Sequence, residues 1–506
     1  MPVVAQVCPD EYADLAATHV SRLQRTSIRR GEWGAVSAAH PLATEASRDI
    51  FRLGGNAVDA AIAAQAVICV VMPQAAGLGG DLLALIHRNG VVSAVNGNGR
   101  SPEEAPVGTT LDGGSSVTVP GLVPAWVSAH ERFGLLGMSN ILRPAADLAG
   151  RGITVDQVLL TGLERQAHRL ALYGAEGWSL LQKAKGDLWR QPELELLLRG
   201  IGESGVNGYY TDVAIPAMAR AAQRNGGTLH IDDFRKHRTL ITSPISVGWG
   251  DRTLFVQPPA AQGVLLAMAA QWLNGHDRFS DDNRQHVLVE LINSVFAHRD
   301  EAKRGASLLA LPLEVDVLRA QHRGGPRSYL HTAAVSTADA GGLVVSSLVS
   351  MFDDFGSAVF VPELGIVLNN RAAGFTNGEN TWAPRTFPVH TLAPAMLTGL
   401  GGEVLALATP GADGQVQTLL QILSHLRWQG EDLASALTAP RWRSQDGSLV
   451  VEDDHPDMEE LIARGHHLTP LPSGDDIFGA VAVAGYQDKN PFAASDWRRQ
   501  VTTGIL

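Results

Sequence analysis

Only two cysteines, Cys8 and Cys69, occur in the 506-residue chain. Two thiols so far apart cannot build a disulfide framework, and no zinc-type spacing is present. Cys69 lies in the apolar run Ala60–Met72 and reads as a small buried hydrophobe. No apolar run approaches the ~20 residues of a membrane-spanning helix, which excludes that class. Met1 to Arg30 carries polar and charged residues throughout, so no secretory signal is expected and the cytoplasm is the default compartment. No Lys/Arg-rich patch offsets the formal charge of −12. Neither nucleic acid nor an anionic membrane surface is therefore expected as a partner. Walker loop, GxGxxG, nucleophile elbow, internal repeat and low-complexity tract are all absent. What remains is a chain with 45% hydrophobic and 18% charged residues, enough for a large buried core. Its length suits two or three domains, or one integrated unit.

Residues 1–33 read as a helical lead-in with Arg22, Arg25, Arg29 and Arg30 on a solvated face. A strand, Gly34 to Ala38, leads through His40-Pro41 into an Ala-rich helix that Gly54-Gly55-Asn56 ends. Asp59 to Met72 is apolar nearly all round, the mark of a buried helix. After Gly77-Leu78-Gly79-Gly80-Asp81 come strands at Leu82–His87 and Val91–Asn96, joined by the hairpin signal Asn89-Gly90. From Pro120 to Ala320 the apolar period predicts mostly helix, notably over Val158–Leu172, Val213–Arg224 and Gln285–Lys303. Arg319–Ser328, with Gly324-Gly325-Pro326, reads as a polar flexible linker. Beyond it, short strands are predicted at Leu343–Ser350, Ala358–Val361, Gly365–Leu368, Val404–Thr409 and Ala480–Ala484. Helices are predicted at Gln415–His425, Asp432–Leu437 and Met458–Arg464. Grouped strands and helices without strict βαβ alternation indicate α+β layers.

The candidate reactive residue is Thr332, directly after the linker. A threonine hydroxyl is a poor nucleophile until a base takes its proton. Cleavage just before the threonine supplies one, its own new α-amino group. Taken alone, Thr332 is better explained as a surface Thr opening an ordinary strand. The neighbouring motifs decide between the two.

Those motifs are Gly54-Gly55-Asn56-Ala57-Val58-Asp59-Ala60-Ala61, Pro73-Gln74, Gly77-Leu78-Gly79-Gly80, Asn98-Gly99-Arg100-Ser101-Pro102 and Val119-Pro120-Gly121. Further on stand Asn225-Gly226-Gly227, Pro258-Pro259, the helix His286–Asp300, Phe355-Gly356-Ser357, Gly365-Ile366-Val367-Leu368-Asn369-Asn370, Thr409-Pro410-Gly411 and Ala439-Pro440-Arg441. In this order, from Gly34 onward, they resemble the γ-glutamyltransferase family of N-terminal-nucleophile hydrolases. The resemblance implies a four-layer αββα sandwich and self-cleavage between His331 and Thr332. The products would be a large subunit, 1–331, and a small one, 332–506, joined as a heterodimer or as a dimer of such heterodimers. It further implies Thr332 as nucleophile, Ser350 as the hydroxyl that steadies it, and the N–H groups of Gly411 and Ala412 as the oxyanion hole. Arg100 matches the arginine that grips a substrate carboxylate, for which a guanidinium fork is suited.

The sequence also departs from the family pattern. Gly374 stands where γ-glutamyl-cleaving members carry an acid for the substrate's α-ammonium, and Arg371 replaces a neutral amide. Phe352 replaces an asparagine, His390-Thr391 a serine pair, Ala333 a threonine, and Ala412 a glycine. Losing an anion and gaining a cation disfavours an ammonium-bearing ligand. These departures resemble a side branch that includes oxamate amidohydrolase. The expected activity is self-processing, Thr-dependent hydrolysis of a small carboxylate-bearing amide, held by Arg100 and Arg371 with His390 and Thr391 nearby, and with no metal or organic cofactor. The alternatives are a true γ-glutamyltransferase or glutathione hydrolase, with Asp353, Asp354 or Asp413 as the missing acid; a glutaryl (cephalosporin-type) acylase; and an uncleaved, non-catalytic binding protein.

Overall fold

Two antiparallel seven-stranded sheets pack face to face, with helices covering both outer faces. The computed structural model describes residues 22, 26, 28–108, 111–209, 213–276, 283–321, 326 and 332–506. Cys8, Arg25, His331 and most of the expected linker Arg319–Ser328 lie outside them. The first sheet runs, edge to edge, Thr502–Ile505, Gly34–Ala38, Ala333–Asp339, Val344–Ser350, Asp81–Arg88, Val91–Gly97 and Leu240–Thr242. The second runs Arg29–Arg30, Asn490–Ser495, Ala482–Gln487, Val404–Ala408, Ala395–Thr398, Arg252–Val256 and Ile245–Trp249. This is the expected α+β, four-layer αββα sandwich.

The central strands are buried on both faces, so their composition is apolar or small rather than alternating. Their two faces nevertheless meet different layers. Ala333 and Val335 pack with the helices, whereas Ala334, Ala338 and Leu348 join clusters between the sheets. Ser336 Oγ donates to Ala482 O at 2.9 Å and Ser346 Oγ to Leu407 O at 2.8 Å, tying the sheets together through the same even-numbered positions. Because side chains alternate with period 2, Thr332 and Ser350 belong to the inter-sheet face.

The helix Ala57–Val71 lies wholly buried against this first sheet. Asn56 starts it rather than ending the previous one: its side chain accepts from the amides of Val58 and Asp59, and Asp59 returns a bond to the Asn56 amide. Gly54, at φ +84°, is the residue that ends helix Pro41–Arg52. The hairpin at Asn89-Gly90 has both residues at positive φ, as a type I′ turn requires.

Elsewhere the structure corrects the expectations. Arg29–Arg30 is an edge strand, paired with Phe492 and Ala493, not part of a helix. Arg22 is buried in an ion pair with Asp454 at 2.6 Å, not solvated. The middle region, expected to be mostly helix, contributes Leu240–Thr242, Ile245–Trp249 and Arg252–Val256 to the two sheets and forms a separate two-stranded pair, Ile153–Thr154 with Leu188–Trp189. The helix predicted over Gln285–Lys303 ends at Phe296 and gives way to 3-10 turns. Among the described residues no helix is long and apolar enough to cross a membrane.

Candidate active site

Thr332 directly precedes strand Ala333–Asp339, and Ser350 ends the neighbouring strand Val344–Ser350. The antiparallel register, with Ala333 opposite Val349, brings their side chains together. Thr332 Oγ1 donates to Ser350 Oγ at 3.4 Å, a long contact, and both residues are buried. Ser350 Oγ also accepts the Phe352 amide at 3.0 Å. Phe352 adopts φ +85°, unusual for a bulky residue, and this turns the chain sharply just past Ser350.

On the far side of Ser350 the next strand begins at Asp81, its register partner. Asp81 is fully buried and organises the site. Its Oδ1 accepts the Gly99 amide at 3.1 Å; its Oδ2 accepts Arg371 Nε at 2.9 Å and His390 Nε2 at 3.3 Å. Burial alone would raise this carboxyl, but the His390 hydrogen bond and the Arg371 charge outweigh it and hold Asp81 below the usual range. His390 Nδ1 accepts the Leu392 amide at 3.1 Å, so Nε2 carries the proton given to Asp81. Burial first, then the Arg371 charge, pushes His390 down to about 4, so it is neutral at pH 7.

Arg371 is 0% exposed, with its guanidinium stacked 4.7 Å over the Phe352 ring. Its Nε is committed to Asp81, yet Nη1 and Nη2 have no hydrogen-bond acceptor among the described residues. These two buried nitrogens are connected to the Thr332–Ser350 pair through Phe352, whose amide bonds Ser350, and through Asp81, the register partner of Ser350. Gly374 lies close by: a Cβ built there would meet Val389 O at 3.5 Å and the Phe352 ring at 3.8 Å.

From the second sheet, strand Val404–Ala408 leads into Thr409-Pro410-Gly411-Ala412. Gly411 at φ +123° and Ala412 at φ +48° turn successive amides, and neither N–H has an acceptor among the described residues. Successive buried N–H groups of this kind can receive an anion, as in a backbone nest. Gln262 holds the nest in place, its Nε2 donating to Ala412 O at 2.8 Å and also to Thr391 O. Ala261 bridges to His390, which returns the chain of contacts to Asp81.

The structure thus connects Thr332, Ser350, Arg371, His390, Thr391, Gly411 and Ala412. Arg100 stands further out: Nη1 donates to Arg385 O at 3.0 Å and the guanidinium stacks 4.0 Å over Phe387, half-exposed. His390 has both ring nitrogens engaged by protein, so it orients Asp81 instead of presenting a donor. Asp353 is bonded by Asn370 Nδ2 at 2.8 Å, burial raising its carboxyl, while Asp413 pairs with Arg299 Nε at 3.0 Å. Sequence reasoning missed Asp81 and Gln262. The signal for Asp81 was an acid opening a strand that otherwise reads as buried; Gln262 offered none beyond its place after Pro258-Pro259.

The family model for gamma-glutamyltranspeptidase matches residues 43–312 and 314–505. The glutathione hydrolase-like YwrD proenzyme of Bacillus subtilis is 32% identical over 490 residues, covering 88% of this chain and 93% of that protein. The oxamate amidohydrolase proenzyme of Klebsiella pneumoniae is 28% identical over 459 residues, covering 81% and 84%. Among solved structures, the cephalosporin acylase from Bacillus halodurans superposes with a TM-score of 0.84 at 25% identity, covering 95% of this chain and 97% of that one.

Proposed function

The chain belongs to the gamma-glutamyltranspeptidase family of hydrolases, and from that premise we propose that it cleaves itself between His331 and Thr332 and then hydrolyses a small amide whose acyl part carries a carboxylate. The freed Thr332 amine, with an ordinary pKa of ~7.7–8.0, takes the Oγ1 proton near neutral pH. Oγ1 attacks the amide carbonyl carbon, and the developing oxyanion is received by the Gly411 and Ala412 N–H groups. Collapse expels the amine, which takes the proton back from the Thr332 ammonium. Water, deprotonated by the Thr332 α-amine, then attacks the acyl-enzyme carbonyl; collapse releases the acid as the ammonium returns its proton to Oγ1. Ser350, fixed by the Phe352 amide, steers Oγ1.

The observation that carries the substrate class is Arg371, buried with two terminal nitrogens unpartnered among the described residues. Unmade buried hydrogen bonds cost ~1–3 kcal/mol each, and a bidentate carboxylate makes both at once. With Gly374 in place of an acid, the position that meets an α-ammonium in γ-glutamyl-cleaving members carries no charge. The substrate class is therefore oxamate-like or glutaryl amides. Hydrolysis of γ-glutamyl amides is the second reading, favoured by Asp353, an acid beside Asn370 near Arg371.

Two measurements test this. On a denaturing gel the wild-type protein should run as two fragments and Thr332→Ala as one; a single full-length wild-type band would overturn self-cleavage. Processed enzyme offered oxamate, a glutaryl amide and a γ-glutamyl anilide should prefer the first two by kcat/KM. A clear preference for the anilide would establish the second reading instead.

A further inference from the structure

Away from Thr332, helix Arg284–Phe296 places His286 and Glu290 one turn apart, on the same side of a helix with almost every residue buried. His466, in the turn between helix Met458–Ala463 and strand Leu468–Leu471, meets them. One ligand-type atom from each of the three lies within 4.8 Å of the others, and all three residues are buried. We propose that His286, Glu290 and His466 bind one divalent transition-metal ion of the zinc class.

The ring nitrogens carry the argument. His286 Nε2 faces the carbonyl of Asp316 at 2.9 Å, an acceptor only, so Nε2 bears the proton and Nδ1 carries the lone pair. That lone pair points at His466 Nε2, 2.8 Å away. A histidine that donates one N–H to a backbone carbonyl while presenting its other nitrogen inward has the orientation of a metal ligand. The carboxylate is oriented in the same way, with Glu290 Oε1 accepting the Gln321 amide at 3.2 Å. Two imidazoles and one carboxylate form a zinc set, with a fourth place left for water. Tetrahedral bonds of ~2.0–2.1 Å set ligand nitrogens ~3.3 Å apart, so the pair need open by only about half an ångström while Glu290 closes in. The cation bearing on His286, Arg464, is neutralised by its ion pair with Glu460.

The position suggests a use, which rests on the cleavage proposed above. His286 and Glu290 precede Thr332 and His466 follows it, while Asp316 and Gln321 belong to the segment leading to the scissile bond. An ion here would tie the two fragments together.

The test uses the full-length protein, stripped with a chelator, then titrated with Zn²⁺ against a chromophoric competitor and with Co²⁺ followed by visible absorption. One ion per chain is expected, with a tetrahedral-type cobalt spectrum. Glu290→Gln, which keeps shape, should weaken binding tenfold or more, and His466→Ala should abolish it. Zn²⁺ should raise the thermal midpoint of the wild type and of uncleaved Thr332→Ala, but not of His466→Ala. Such binding by both cleaved and uncleaved chains supports the site whether or not processing occurs. No uptake by a folded wild-type protein, as a proton-sharing histidine pair would give, overturns the proposal. So does equal uptake by wild type, Glu290→Gln and His466→Ala.

Discussion

Arg371 and Asp81, both fully buried, meet through a single contact from Nε at 2.9 Å. The pair is formally neutral, so Arg371 is not the surplus cation that its replacement of an amide suggests. What it adds is direction: two donors held off Asp81 and left without an acceptor among the described residues. Specificity for a carboxylate would then lie in hydrogen-bond geometry more than in net charge.

Arg371→Lys tests that distinction. Lysine keeps the charge but loses the fork, and charge-assisted bonds are worth ~1.5–3 kcal/mol each. We expect kcat/KM for a carboxylate-bearing amide to fall roughly 10–100-fold, with little change for a neutral amide of the same length. Arg371→Met should go further and destabilise the fold by about 3–5 kcal/mol, because Asp81 would be left buried and uncompensated. An equal loss on the neutral amide would show that Arg371 serves the fold and not the substrate.

Gln262 should matter although it touches no proposed reacting atom. Its Nε2 fixes Ala412 O and Thr391 O together. In Gln262→Met that tie is lost and the Gly411–Ala412 amides are freer to turn. Losing an oxyanion donor outright costs ~10²–10³ in rate, so a smaller fall of about 10–100-fold in kcat is expected, with KM nearly unchanged. A change in KM alone, with kcat intact, would assign Gln262 to substrate binding.

Much of this arrangement was legible in the sequence because it depends on local signals. The hairpin at Asn89-Gly90, the strand Gly34–Ala38 and the nearly all-apolar helix, expected from Asp59 and observed from Ala57, follow from turn chemistry and burial pattern. Motif order placed Thr332, Ser350 and Gly411 on strand ends, where period 2 aims the first two between the sheets. What escaped depends on partners distant in sequence. Asp81 looks like a turn residue until Arg371 and His390, some three hundred residues on, close over it. His390 looks like a substrate ligand until its nitrogens are found bonded to Asp81 and Leu392. The strands Leu240–Thr242, Ile245–Trp249 and Arg252–Val256 are short edge-side elements with mixed exposure, too weakly patterned to stand out within a helical region.

Two buried histidines predict the acid limit of the fold. Burial pushes His390 and His237 each down to about 4, and His237 has no hydrogen-bond partner for either ring nitrogen among the described residues. Between pH 6.5 and about 4 the unfolded chain binds protons at these positions and the folded chain does not. Stability is therefore full above about 6.5 and falls as pH drops through that window, by on the order of 3 kcal/mol per histidine. Thermal midpoints at pH 7.5 and 5 should differ by several degrees. In His237→Leu the gap should narrow; a gap as wide as in the wild type would mean that His237 is not held neutral.

Gly374→Asp asks whether the glutamyl pocket can be rebuilt. The position is not at positive φ, and a Cβ there meets its neighbours no closer than 3.5 Å, so the backbone need not move. The new carboxylate would lie near Phe352 and Arg371, where it can receive an α-ammonium or compete with the substrate carboxylate for Arg371. Both effects push in one direction: oxamate-type hydrolysis weakens and γ-glutamyl anilide hydrolysis strengthens. A charge contact at effective ε near 20 contributes a few kcal/mol before desolvation, so the ratio of the two kcat/KM values should shift roughly 10-fold or more. If the ratio stays fixed while processing and folding remain normal, the identity of residue 374 does not set the preference. The discrimination would then reside in Arg371 and its stacking on Phe352.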